Sequence, residues 1–335
     1  MNVMGVLASA ARRRRLNEDD GGAPVVTLIP ESYLAIGHKN NYGYGLSIFG
    51  LRTGYEIVGR VDIKEEINTV RFGNVSNIMV VSPKYSGNIK LFQVSGRSVI
   101  QLAEFESKEY VEGVMFSPDD SKLLVYTKTS FSIYAANPLQ LLKRVNLVGL
   151  TGKQVKWRPD GTQIVFATTN VNTSYLHVYD IASDSFVNTV VQPPFIVKGF
   201  GFIDNNTKLM ISFINEKPYV KVLDANAGYV ELPFIYAEPE NFFHDVLQGP
   251  DELFVGINAS PSLALVDAPN YIPIPEMDEA QMLRYDNFTD AIVGSAYEST
   301  QVCALFTDND GLYKKVHYVP GPINDISISP LPFTV

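Results

Sequence analysis

One four-residue pattern recurs seven times along the chain: apolar, any residue, apolar, then aromatic or aliphatic. It reads LSIF at 46–49, IKLF at 89–92, FSIY at 131–134, LHVY at 176–179, VKVL at 220–223, LALV at 263–266 and CALF at 303–306. The third positions are Ile48, Leu91, Ile133, Val178, Val222, Leu265 and Leu305, spaced 40 to 45 residues apart. A period of that length means that one supersecondary unit is repeated, and such units bury their apolar faces by stacking on one another.

Each copy has the same companions. Upstream lies a second apolar run: LAIG from Leu34, IMVV from Ile78, LLVY from Leu123, IVFA from Ile164, LMIS from Leu209, LFVG from Leu253 and AIVG from Ala291. Before it comes a turn, as at Ser117-Pro118-Asp119-Asp120 or Arg158-Pro159-Asp160-Gly161, and before the turn another short strand, ending at Phe116 or Trp157. A polar outer strand follows, such as SFVNTVV from Ser185. The unit is therefore four strands of ~5 residues joined by tight turns, the make-up of a propeller blade. A β-sandwich would not repeat a four-strand unit seven times at near-constant spacing. The chain has 335 residues, 46% of them hydrophobic, enough for a large all-β core. The expectation is an all-β fold, a seven-bladed β-propeller of four-stranded antiparallel blades over residues 23–335, preceded by an N-terminal arm, residues 1–22.

Over about 25–330 the chain resembles the WD-repeat propellers. Tyr179-Asp180, Leu223-Asp224 and Val266-Asp267 stand where that family has its Trp-Asp dipeptide. The family's Gly-His pair at the blade edge is missing, and Gly37-His38 ends a second strand instead. The resemblance is to a diverged member, without the hydrogen-bonded tetrad of typical blades.

A ring must join its first and last blades or leave sheet edges exposed. VVTLIP at 25–30 and INDISISP at 323–330 both have the look of an innermost strand, and Pro30 and Pro330 lie 300 residues apart, about seven periods. Closure by the C-terminal segment is favoured, with the N-terminal segment as the alternative.

The arm pairs an apolar stretch, which includes Val6 and Leu7, with Arg12, Arg13, Arg14 and Arg15, then an acidic, glycine-containing hinge at 17–22. This composition suits a docking peptide, its apolar part in a partner's groove and its arginines on acidic surface. A solvated tail or a localisation signal would read similarly. GVLASAARRRR at 5–15 resembles the opening of many tailed-bacteriophage virion proteins, and YLAIGHKNNYGYGLSIFGL at 33–51 resembles propeller repeats in phage structural proteins. The resemblance implies a tail- or capsid-attached component, assembled in the host cytoplasm, present in multiple copies and serving assembly, decoration or host contact. The alternative is a cellular, cytoplasmic WD-repeat-like scaffold that gathers protein partners.

Little in the sequence points to catalysis. The net charge of −9 argues against a surface that tracks nucleic-acid phosphates. A single cysteine, Cys303, allows no intrachain disulfide, which fits a reducing compartment. No segment has the length and apolarity of a membrane helix, and the N-terminus lacks the order of a secretion signal. His38, His177, His244 and His317 fall in different blades with no ligand spacing. His177, Lys90 and Lys221 hold corresponding positions in the repeat and could share one side of it, though structural roles fit them better. Asp308-Asn309-Asp310-Gly311 resembles part of a calcium loop but lacks the closing glutamate, and reads better as a hairpin turn. No GxSxG or phosphate loop is visible, and one tryptophan, Trp157, is too few for sialidase or quinoprotein boxes. The expectation is no enzyme, no metal, no organic cofactor, no nucleic-acid partner, no membrane insertion, and binding to other protein subunits, most plainly virion proteins, through Val6, Leu7 and Arg12 to Arg15. A lactonase-type enzyme would instead hold a metal in the central channel.

Overall fold

The computed structural model describes residues 30–333, except 41–42, 148–150, 171–172, 190–195, 216, 234–242, 249–252, 258–262, 268–269, 275–281, 287–288, 290, 296–298, 309–310 and 320–321. The arm, with Val6, Leu7 and Arg12 to Arg15, and the candidate strand at 25–29 lie outside the described residues.

The described residues form seven four-stranded antiparallel sheets, the blades of a propeller. Blade 1 contains β1 (Tyr33–Asn40), β2 (Gly43–Gly50) and β3 (Glu56–Asp62). Blade 2 is β4 (Ile67–Phe72), β5 (Ile78–Pro83), β6 (Asn88–Ser95) and β7 (Ser98–Glu106). Blade 3 is β8 (Gly113–Phe116), β9 (Lys122–Tyr126), β10 (Ser130–Ala136) and β11 (Leu139–Asn146). Blade 4 is β12 (Thr151–Trp157), β13 (Gln163–Asn170), β14 (Thr173–Asp180) and β15 (Ser185–Thr189). Blade 5 is β16 (Ile196–Ile203), β17 (Lys208–Asn215), β18 (Lys217–Asp224) and β19 (Val230–Glu231). Blade 6 is β20 (Phe243–Gln248), β21 (Leu253–Ile257), β22 (Leu263–Asp267) and β23 (Asn270–Pro273). Blade 7 is β24 (Met282–Asp286), β25 (Ala291–Ser295), β26 (Gln301–Asp308) and β27 (Gly311–Tyr318). The last strand, β28 (Ile323–Ile328), pairs with β1 and completes blade 1.

The seven repeated segments are all third strands, and their equivalence extends to register. Ile48 pairs with Ala35, Leu91 with Val80, Ile133 with Leu124, Val178 with Val165, Val222 with Met210, Leu265 with Phe254 and Leu305 with Ile292. Each blade is packed between two others, so both faces of its middle strands are buried. That is why the second strands read as unbroken apolar runs rather than as an alternation. The core accordingly divides into seven buried clusters, one at each junction between neighbouring blades.

The turns carry the chemistry the sequence suggests. Asp120 N donates to Ser117 O and Gly161 N to Arg158 O, and Asp120 and Gly161 both have positive φ, 57° and 73°. Glycine enters that region without a Cβ penalty, and Asp tolerates it. At 308–311, Asp308 pairs with Gly311, so this segment is a two-residue hairpin connection. Asp180 caps its own turn by accepting from Ser183 N and Oγ, and Asp224 does the same for Asn226 N and Ala227 N.

Closure through β28 is reinforced just outside the sheet. Glu31 and Phe333 exchange two backbone hydrogen bonds, N to O at 3.1 and 2.9 Å. The Glu31 carboxylate, 2% exposed, accepts from Arg52 N, Thr53 N and Thr53 Oγ1 at 2.7–2.8 Å and so holds the β2–β3 turn.

Candidate functional site

The loops that enter each blade's first strand, and those joining second to third strands, share one face of the ring, called the upper face here. The turns between first and second, and between third and fourth strands, share the lower face. The described chain enters and leaves at the lower face, where Tyr33, Leu331 and Phe333 border a hollow of about 510 Å³ with Val75, Asn77 and Gly96.

Innermost strands have one edge that no strand covers, and their backbone N–H groups need other partners. Side chains of the preceding blade supply some. Val70 N donates to Asp325 Oδ2 at 2.9 Å, Phe72 N to Ser327 Oγ at 2.9 Å, and Leu283 N to Asp245 Oδ2 at 3.3 Å. Five innermost strands also carry an inserted residue near the upper end: Asn68, Lys153, Lys198, His244 and Asn324. A bulge re-aims the side chain it inserts. Here Asn324 Nδ2 donates to Ile67 O at 2.7 Å, and Asn68 Nδ2 donates to Val111 O at 3.0 Å and Glu112 O at 2.7 Å. The same device thus joins blade 1 to blade 2 and blade 2 to blade 3.

Five charged side chains form an alternating chain across the channel mouth. Arg71 pairs with Asp325, Arg284 reaches Asp325 at 3.4 Å and Asp245 at 3.6 Å, and Lys156 meets Asp245 at 2.8 Å. Lys156 belongs to blade 4 and Asp245 to blade 6, so this contact skips a blade. Burial by itself raises the Asp245 carboxyl, but Lys156 and Arg284 outweigh it and hold the group below its ordinary range. Burial, and then the neighbouring Arg71, push the Arg284 guanidinium down to about 10, against the pull of Asp325 and Asp245. The five side chains alternate in charge type along the chain, and each has a partner of opposite sign. They line a recess of about 380 Å³ with Asn68, Glu112 and Met115.

Beside the channel mouth a larger cleft of about 980 Å³ opens between blades 2 and 3. It is built from the loop 107–112 that enters β8 and from the β5–β6 and β9–β10 loops, and it shares Asn68 and Glu112 with the recess. Its charges are balanced. Lys84 pairs with Glu66 at 2.7 Å and Lys128 with Glu112 at 3.7 Å, and Glu109 pairs with Arg144. Hydrogen bonds from Thr127 and Thr129, then Arg144, hold the Glu109 carboxyl below its usual value. Two tyrosines stand at this cleft largely in solvent, Tyr85 at 60% and Tyr110 at 67% exposure. On the outer rim, Ile100, Leu102, Leu141, Leu142, Phe186 and Val187 are also exposed, along the last strands of blades 2 to 4.

His177, Lys90 and Lys221, read in the sequence as more in keeping with structural roles than with a shared binding side, are not brought together. Their positions are equivalent, but they sit in blades 4, 2 and 5 and are engaged separately. His177 lies 2.9 Å from Thr168 Oγ1, Lys90 is 4.0 Å from Glu104, and Lys221 is 2.6 Å from Glu231. Equivalence in a repeat brings side chains to like places in different blades, not to one place. The sequence reading missed the channel chain and the cleft. A partial signal existed, because Arg71, Asp245, Arg284 and Asp325 each place a charge in an inner strand that also carries core residues. Among the described residues, no group of three or more His, Cys, Asp or Glu side chains is arranged to hold a metal ion.

These features define a seven-bladed β-propeller with a charged, bridged channel and an open polar cleft on its upper face. No protein-family model and no curated protein sequence matches the chain. Solved structures match it in fold. A chain of the mitotic checkpoint complex superposes with a TM-score of 0.61 at 15% identity, covering 95% of this chain and 93% of that one. A Bacteroides fragilis protein described as a candidate 6-phosphogluconolactonase gives a TM-score of 0.63 at 10% identity, covering 92% of this chain and 99% of that one. At these identities the likeness establishes the propeller architecture alone.

Proposed function

We propose that this protein is a non-enzymatic interaction module, a rigid propeller held on a larger assembly by its N-terminal arm and presenting its upper face to a partner. One observation carries the reading. The described chain begins at the lower face, while the open cleft and channel mouth lie on the upper face, so a partner docked on the upper face leaves the point where the described chain begins uncovered. Rigid rings with loop-built faces are well suited to such a role. Val6, Leu7 and Arg12 to Arg15 are the residues assigned to the tether, by burial of the first two and pairing of the arginines with acidic surface.

The finer setting, a tailed-phage virion, rests on the sequence resemblance at 5–15 and 33–51 alone. The second reading, a cellular scaffold, draws on the fold shared with a chain of the mitotic checkpoint complex. The lactonase-type neighbour shares fold only, and the channel expected to hold a metal in such an enzyme is here crossed by Lys156–Asp245 and Arg284–Asp325 contacts.

Cross-linking mass spectrometry on the native assembly tests this reading. Links from the N-terminal amine should reach one neighbouring chain, and links from Lys84, Lys108 and Lys128 should reach a different partner or none. Links to neighbours from the outer rim alone would contradict it.

A further inference from the structure

We infer that the cleft between blades 2 and 3 is a binding site for a neutral oligosaccharide. The inference rests on the reading of the upper face as the presented face and names the ligand it takes.

The cleft lacks what two other classes of ligand require. A peptide docked by hot spots needs apolar pockets for its anchoring side chains. Val111 is the only aliphatic residue in this lining, and it is 2% exposed, already spent on the core between blades 2 and 3. A phosphate-bearing or nucleic-acid ligand needs a cationic field. Here three lysines are matched by Glu106, Glu109 and Glu112 on the same walls.

What the cleft has is the complement of a sugar. A pyranose ring offers an apolar C–H face and a girdle of hydroxyls that donate and accept hydrogen bonds. Tyr85 and Tyr110 offer aromatic surface in the cleft and are too exposed to be serving the core. Lys84 Nζ lies 5.3 Å from the Tyr85 ring centroid and pairs with Glu66, which fixes that part of the wall. The same walls carry Ser86, Glu106 and Lys108, and neither Glu106 nor Lys108 has an ion-pair partner among the described residues, while Thr127 and Thr129 are spent on holding Glu109 in place. A carboxylate and an ammonium without ion-pair partners can accept from and donate to sugar hydroxyls without requiring a charged ligand. The volume of about 980 Å³ accommodates several sugar units along an open groove.

The test uses the full chain. Neutral hexose and N-acetylhexosamine oligosaccharides of three to six units are titrated calorimetrically, beside sulfated oligosaccharides of the same length. Saturable binding of a neutral member is expected. Tyr110→Ala and Tyr85→Ala should each weaken it about fivefold or more with unchanged melting temperature, because neither ring supports the core. Leu142→Ala on the rim should leave it unchanged. Binding by sulfated members alone, by none, or binding indifferent to both tyrosine substitutions would overturn the assignment. A peptide partner cross-linked at Tyr110 in a protein that binds no sugar would overturn it in favour of a peptide groove. None of these results bears on whether the arm is the tether, which the deletion of residues 1–22 decides separately.

Discussion

The ring of Tyr33 lies flat on the ring of Phe333, with centroids 3.9 Å apart and planes inclined by 6°. Tyr33 opens the first described strand and Phe333 follows the last one, so this stack clamps the two ends of the ring together. Ring closure therefore has three parts: the β1–β28 ladder, the Glu31–Phe333 backbone exchange and this aromatic contact.

Replacing Phe333 by alanine should cost about 3 kcal/mol, the scale of a large-to-small change at a buried aromatic. Urea unfolding measures it directly. A loss below about 1 kcal/mol would mean that the ladder alone closes the ring and the stack contributes little.

The channel chain makes a second prediction. Asp325 is buried, with two cations and one backbone N–H depending on it. Asp325→Ala leaves all three without that partner and should destabilise by about 3–5 kcal/mol, the cost of breaking a buried pair from one side. Because the site is screened by protein, this loss should differ little between low and high salt. A loss that disappears in high salt would place the pair effectively in solvent.

Acid sensitivity follows from Asp245. Its carboxyl titrates in the native state below the unfolded value near 3.9. A group depressed in this way contributes stability that is complete above the unfolded pKa and is lost as pH falls through the native one. The melting temperature should therefore fall on acidification below about pH 4, and Asp245→Asn should flatten that limb while lowering the plateau near neutrality. An acid limb identical in the variant would assign the sensitivity to other carboxylates.

Asn68 links the ring to the cleft. Its amide holds the Val111 and Glu112 carbonyls at the end of the loop 107–112. Asn68→Ala should cost about 1–3 kcal/mol, the range for leaving buried polar groups unsatisfied. Hydrogen exchange should rise selectively in residues 107–112. Uniform acceleration across the ring would show that the bond serves global stability only.

The fold was legible because seven blades repeat one burial pattern. Each second strand is buried on both faces, so runs such as MVV at 79–81 and LMI at 209–211 stand out against polar turns. The closing strand could be recognised in INDISISP because it resembles an innermost strand placed after the last blade. The channel chain was not legible. Arg71, Lys156, Asp245, Arg284 and Asp325 come from five separate strands, and only closure of the ring brings them together. Local pattern shows that a charge falls in an inner strand but not which distant charge will meet it. The cleft was hidden for a related reason, since its walls come from three loops whose polar composition is ordinary for turns.

The central claim is that a self-sufficient ring is carried by its arm. Deletion of residues 1–22 tests it most directly, with the melting temperature of the ring and its incorporation into the native assembly measured on the same preparation. The account predicts a melting temperature within about 2 °C of the full chain, a shift that corresponds to about 1.5 kcal/mol at most for a chain of this size, together with loss of incorporation. A truncated chain that unfolds, or one that assembles as well as the full chain, would contradict it.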